Sequence, residues 1–405
     1  MDSRQRTSTD SPPQKRTALQ LILLLGLVSA LGDITYESAR SISGPYLAFL
    51  GAGAGIVGLV SGFGEFIGYG LRLVSGYVAD RTRSYWLATF IGYGLLLCIP
   101  LLAFAGRWEM AALLLILERA GKAIRSPSRD TILSHATQQT GRGWGFAIHE
   151  ALDQVGAVIG PLVFTAAFLV RNSYRDGFAV LWIPALLTIA ALALARVLVP
   201  SPEKLETSSE TTAPKAQASG RLPRVFWLYA LFTFLSVAGF ANFQVISYHL
   251  TVRAAIPTSQ IPILYALAMG VDALAALFIG KAYDRIGLRS LGIIPLLSIP
   301  IPLLGFSSGG TLAVASVILW GVVMAFHETT MRAAIADIAP VGRRASAYGI
   351  FNTVYGAAWF VGGAAMGWLY DFSIAYLALF VAAVEVVSLP VFWAVTRSSA
   401  IRRPE

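Results

Sequence analysis

The chain has little charge, one cysteine and four histidines in 405 residues. Asp, Glu, Lys and Arg make up 13% of it, about half of what an ordinary soluble domain carries, so there are too few charges to coat a water-facing surface of this size. A soluble globular protein is excluded, and lipid must face much of the surface. The single cysteine, Cys98, lies in an apolar run, forms no internal disulfide and reads as packing. There is no Walker phosphate loop and no soluble nucleotide domain, so direct ATP-driven pumping has no basis, and the chain reads as a non-enzyme with no cofactor and no metal site.

What fills the chain instead is apolar sequence, at 56% of residues. It falls into about twelve runs near the ~20 residues a helix needs to cross a hydrocarbon core. The expected fold is all-α, with twelve transmembrane helices in two pseudo-symmetric six-helix bundles. The Ser/Thr/Pro-rich residues 1–16 form a disordered tail and residues 17–200 the first bundle. The polar stretch 201–222 is a linker, 223–397 the second bundle and 398–405 a short tail. Lys and Arg gather in the tails and in the turns after even-numbered spans, among them Arg81, Arg83, Arg142, Arg285, Arg289, Arg343, Arg344 and Arg397, whereas the other turns show chiefly Arg107, Arg171, Arg175 and Arg253. That bias places both termini in the cytoplasm, with a plasma (inner) membrane setting. The formal charge of +9 is mostly this signal. The cations are scattered among turns and form no stripe, so no nucleic-acid partner is expected.

Two segments 204 residues apart carry one phrase: Gly76-Tyr-Val-Ala-Asp80-Arg81 and Gly280-Lys-Ala-Tyr-Asp284-Arg285. Such an offset, about half the chain, marks a tandem duplication of a membrane unit. With two six-helix halves and a central linker, this Gly-x-x-x-Asp-Arg pair resembles the major facilitator superfamily across essentially the whole chain after the tail. Both copies are slightly degraded. The resemblance implies that Asp80 and Arg81 latch the outward-facing state, with Asp284 and Arg285 as the repeat; a plain polar turn explains one copy but two only poorly. An offset of 203, one residue shorter, sets Arg129 against Arg332 as paired gate positions, and Arg125 and Arg129 are expected to snorkel or to pair with Asp80. Leu115-x-x-x-Arg119 resembles the arginine motif of proton-coupled members. Gly156-x-x-x-Gly160-Pro161 resembles the core of an antiporter motif; helix packing by small residues and a proline bend is the competing reading.

Ionisable residues inside the spans carry most of the chemistry, because each costs about 2.5–3.5 kcal/mol at mid-membrane unless it faces protein or water. Asp33 and Glu37 lie one turn apart on span one, Glu65 and Arg72 on span two, Glu118, Arg119 and Lys122 on span four, and His149, Glu150 and Asp153 on span five. The acids, Arg119 and His149 are the proton-coupling candidates; a static ion-pair network pinning four helices is the alternative. Away from their ends, spans three, six and nine have no such groups, in keeping with the outer position that the resemblance implies for them. Glu385 on span twelve stands apart.

The second half is poorer in charge. Asn242, Gln244 and Tyr248 on span seven, Asp272 on span eight, His327 and Glu328 on span ten, and Asn352 and Tyr355 on span eleven join Arg72 and Lys122 as substrate-binding candidates. The expected activity is secondary transport of a small molecule by alternating access, as proton-coupled export from a monomer in the bilayer. Import by symport or facilitated diffusion is the rival, and a flux-free sensor or assembly factor is the rival of another class.

Overall fold

In a computed structural model the described residues are 12–137, 142–205, 222–340 and 343–400, and among them every regular element is helical. Twelve helices follow in order: α1 Pro12–Phe49, α2 Ala54–Thr82, α3 Tyr85–Phe104, α4 Trp108–Thr137, α5 Arg142–Arg171 and α6 Tyr174–Leu198. The second set is α7 Arg224–Val252, α8 Ile261–Ile286, α9 287–305, α10 Gly310–Ile338, α11 Arg344–Phe372 and α12 Ile374–Ala400. They form two related six-helix bundles, as the sequence leads one to expect. Residues 12–16, expected in the tail, are instead the first turns of α1, and α12 runs on through 398–400. Of the expected linker, Pro202–Leu205 form a short turn, while 206–221 lie outside the described residues, as do 1–11 and 401–405.

Exposure sorts the helices. Apolar side chains stand open on α3 (Leu87, Ile91), α6 (Ile183, Leu186), α9 (Leu296, Leu303) and α12 (Leu379, Val386), which is the arrangement of helices that face lipid. By contrast α4 carries Glu118, Arg119, Lys122, Arg125 and Arg129, and falls short of the apolar content of an ordinary membrane span. Such a helix is tolerated only in the interior, where its charges find partners.

Three local departures from regular helix bear on the site. Pro127 in α4 cannot donate to the carbonyl of Ala123, and the Ser75 hydroxyl of α2 donates to that carbonyl instead, at 2.7 Å. Helix α7, expected as one run over 223–254, breaks between Ala238 and Phe243. There Asn242 accepts from the Gln244 N–H at 2.9 Å as the cap of the second segment, and the Trp320 indole N–H donates to the Ala241 carbonyl at 2.9 Å. In α10 a π-turn over Phe326–Thr330 places His327 and Glu328.

The halves meet along α2–α11, α5–α8 and α1 against α7 and α8. Backbone touches backbone at Gly58 and Gly363, where a Cβ on Gly363 would stand 2.9 Å from the Gly58 carbonyl. On the face opposite the termini, Asp371 of α11 accepts from the free N–H groups that open α2, Ala54 at 3.3 Å and Gly55 at 2.9 Å, and Thr165 of α5 donates to the Ser259 carbonyl at 3.3 Å. The terminal face is different. Among the described residues Asp80 accepts only from Tyr85 and Arg81 reaches only Tyr77, both within the first half. Asp284 and Arg285 are exposed, Gly280 faces open space and Gly76 has ordinary contact with Pro127. The face opposite the termini is therefore hydrogen-bonded across the halves at two places, beside a pocket lined by Phe49, Phe168, Thr251 and Ser259, while the duplicated Asp-Arg turns are disengaged.

Candidate functional site

Between α1, α2, α4 and the second segment of α7 lies a narrow cleft, whose polar lining includes Tyr36, Arg40, Ser43, Glu118, Arg119 and Gln244. A continuous chain of polar contacts runs beside it. Tyr265 of α8 donates to Glu37 at 2.6 Å, and Glu37 faces Arg40 at 3.6 Å. Glu65 of α2 is held by Arg40 at 3.2 Å and by Arg119 of α4 at 2.9 Å. The Arg119 guanidinium and the Lys122 ammonium lie 4.4 and 4.0 Å from the centre of the Tyr36 ring. Deeper in the half, Arg125 pairs with Glu118 at 3.3 Å and lies over Tyr93, almost wholly buried. Asp33 is buried within electrostatic reach of Lys122, Glu37 and Asp153.

Four carboxyls (Asp33, Glu37, Glu65, Glu118) thus meet four cations (Arg40, Arg119, Lys122, Arg125), so the cluster is balanced when all are ionised. Buried charges persist only when paired; Glu37, Arg40, Glu65 and Arg119 form one linked series, and Arg125 with Glu118 forms a separate pair. Two polar atoms among the lining residues have no hydrogen-bond partner, Tyr36 Oη and Arg40 Nε.

A second relay lies toward the terminal face. Arg129 donates to Ser29 of α1 at 2.8 Å, Ser29 in turn donates to Asp153 of α5, and Arg129 also holds its neighbour Asp130 at 2.9 Å. Arg129 is thus engaged inside the first half and makes no bond to Asp80, contrary to one of the sequence expectations; its length lets it reach across α1 instead. Similarly Arg125, expected to snorkel, points inward because Glu118 lies two turns back on its own helix. His149 is buried with Nε2 unpartnered, and Glu150 is exposed and unpaired, so span five contributes only Asp153 to the bonded relay. Gly156 and Gly160 admit the α1 backbone at Ala30 and Ile34, where a Cβ on Gly160 would stand 2.6 Å from the Ile34 carbonyl. Pro161 follows within an unbroken α5, so these three residues make a close helix contact.

The second-half candidates divide. Gln244 reaches the cleft because the break in α7 starts a new helix at that depth. Asn242 uses its Oδ1 as the cap, and its Nδ2 is buried without a hydrogen-bond partner. Tyr248, one turn farther, sits at the opposite-face end beside Tyr370 and away from the cleft. Asp272 is buried with Oδ1 unpartnered, within electrostatic reach of Glu328, Glu150 and Glu37. His327 is buried edge-on to Phe240 at 4.8 Å, neither ring nitrogen partnered, and near Tyr355 at 6.2 Å. Glu328 is half-buried, Arg332 is exposed, and Asn352 is half-buried with no hydrogen bond. Tyr355 meets Tyr69 edge-on at 4.8 Å across the halves, and Arg72 lies over Tyr69 at 4.7 Å.

The network's central members, Arg40 and Tyr265, escaped the sequence reading, as did Ser29 and Tyr36. Arg40 had a signal, a cation three residues after Glu37 inside a span. Tyr265, one of fifteen tyrosines, had none.

Comparison with known proteins agrees with this architecture. The Major Facilitator Superfamily family model matches residues 22–362 and 255–405. The chain is 44% identical over 382 residues to an uncharacterized protein of Mycobacterium tuberculosis (strain H37Rv), covering 94% of this chain and 93% of that one. It is 27% identical over 380 residues to an uncharacterized MFS-type transporter of Methanocaldococcus jannaschii, covering 91% and 92%. Among solved structures, a bacterial homolog of the human lysosomal transporter Spinster, inward-facing and unoccupied, superposes with a TM-score of 0.76 over 98% of this chain and 99% of that one, at 14% identity. Its helices, its duplicated turns and these matches together make the chain a member of the major facilitator superfamily, an integral membrane protein of a family of secondary transporters.

Proposed function

We propose that the protein exports a small polar molecule in exchange for protons, by alternating access. The observation that carries this reading is the charge-balanced chain Tyr265–Glu37–Arg40–Glu65–Arg119, which borders the cleft and ties α8 of the second half to α1, α2 and α4 of the first. A proton on Glu37 removes the charge that Tyr265 donates to and loosens a contact between the halves. A proton on Glu65 releases Arg40 and Arg119 toward the cleft. Because the cluster is balanced, a charged solute entering it leaves one unit of charge uncompensated, and gain or loss of a proton cancels it. The free Tyr36 Oη and Arg40 Nε favour a solute that presents acceptor oxygens.

The present conformation fits the cytoplasm-facing member of the cycle. The opposite face is sealed by Asp371 and Thr165, and the Asp80–Arg81 turn, whose engagement belongs to the outward-facing state, is idle. The Lys and Arg on the terminal face support a cytoplasmic position for it. Between the conformations, the seal at α2–α11 breaks and the duplicated turns engage.

The test is transport in vesicles with an imposed pH gradient, on solutes first selected by thermal-shift screening of the purified protein. Antiport moves solute against the proton flow. Co-directional movement establishes the symport rival, movement indifferent to the gradient establishes a facilitator, and absence of flux for every stabilising solute establishes the sensor reading.

A further inference from the structure

Glu385 on α12 belongs to neither polar relay. It is wholly buried in the second bundle, and neither carboxyl oxygen has an aligned hydrogen-bond donor. The surrounding helices α7, α9, α11 and α12 present no titratable or charged group to it; its polar neighbours are the hydroxyls of Ser298 on α9 and Ser388 on α12. Ser388 donates to the main-chain carbonyl of Glu385 at 2.7 Å, and Ser298 Oγ is itself buried without an aligned partner. A bare carboxylate in such a place has no counter-charge and only two neutral hydroxyls near it, and is strongly disfavoured. Something positive must be bound to it.

The location gives the site a mechanical connection. The carboxyl lies in the notch where α7 breaks: a Cβ on Gly239 would stand 2.9 Å from Glu385 Oε1. On α7 the first residues after the break are Asn242, the cap, and Gln244, which lines the cleft. Glu385 and the cleft therefore contact the same discontinuous segment.

We infer that Glu385 is a second proton-binding site, in the half that lacks the ion-pair network, and that its occupancy is linked to the bend of α7. The proton comes from bulk water and forms an O–H bond at one carboxyl oxygen, giving a neutral acid that can donate to Ser298. Any movement of α7 that opens the notch to water weakens that binding, and by reciprocity the bound proton favours the bent α7. A proton suits the site better than an alkali ion, because two carboxyl oxygens and two hydroxyls fall short of the five or six oxygen ligands expected of such a cation.

Infrared difference spectroscopy of the full chain in lipid at neutral pH, wild type minus Glu385→Gln, tests this without requiring a substrate. The expected result is loss of one neutral carboxylic-acid carbonyl band with the helix amide band unchanged. The band should shift in frequency in Ser298→Ala, and should weaken in Asp371→Ala, which releases the seal on the face opposite the termini. Loss of a carboxylate band instead, or a neutral-acid band that disappears when sodium chloride replaces choline chloride, would overturn proton binding in favour of an ionised group or a bound alkali ion. A band indifferent to Asp371→Ala would overturn the linkage to α7. Should Glu385→Gln fail to fold, the Ser298→Ala frequency shift alone decides occupancy. None of these readouts depends on Glu37 or Glu65, so failure here and failure of the antiport reading are separable.

Discussion

The first half meets the cleft with Arg40, Glu118 and Arg119, whereas the second half meets it with Gln244 and reaches the charge network beside it through the Tyr265 hydroxyl. Two bundles of one architecture have thus taken different chemistry. Around the break in α7 the second half is aromatic: Phe240, Trp320, Trp359 and Tyr355 pack through ring edges and faces, and the buried polar groups there, His327 and Glu385, lack ion pairs. Charge networks resist rearrangement because each member holds two others, whereas aromatic packing accommodates small shifts. On the proposed proton-coupled reading, the first-half network is the rigid ion-paired element and the second half the one that shifts against it.

The largest expected effect tests the network itself. Glu65→Leu leaves Arg40 and Arg119 buried without their shared partner, and should cost about 3–5 kcal/mol in the unfolding free energy measured in detergent. The matched change on the other side, Phe240→Leu, should cost less, about 1–3 kcal/mol; equal losses would erase the distinction between the halves. Tyr265→Phe removes one hydrogen bond to a charged group, about 1.5–3 kcal/mol of contact between the halves, and should leave each bundle's own stability intact when read by hydrogen exchange. Asp371→Ala removes the acceptor at the start of α2, an effect of about 0.5–2 kcal/mol, and should raise accessibility of the opposite face up to roughly tenfold in cysteine labelling. Asp80→Asn should be silent in this conformation, because the one hydrogen bond Asp80 accepts among the described residues comes from partly buried Tyr85 in the same half; its effect should emerge only in variants that populate the outward-facing state.

Much of this was legible in the sequence. Positions of the twelve helices follow from run length and turn residues, and the α10 run 310–338 coincides with the helix observed. The clustering of ionisable groups on spans one, two, four and five predicts which helices meet, since such groups must find one another. The break in α7 was not legible: Gly239-Phe-Ala-Asn242 is mostly apolar, and its meaning depends on Trp320 reaching the Ala241 carbonyl from another helix. Partner choice was likewise hidden. Arg129 could have reached Asp80, Asp130 or Ser29, and only the packing of α1 against α4 and α5 selects the last two. Tyr265 illustrates the limit, because a tyrosine in an apolar run gains its role from a carboxylate 228 residues away.

The most direct test of the central claim, that protonation of the first-half network releases the second half, is a distance measured across the terminal face. Spin labels at the exposed positions Thr82 and Arg289, with buried Cys98 replaced, report the separation of the α2–α3 and α8–α9 turns in lipid. The account predicts that the distance distribution shifts with pH in the wild-type protein and that Glu37→Gln and Tyr265→Phe abolish the shift. A distribution that ignores pH in the wild type, or that responds identically in both variants, would contradict it.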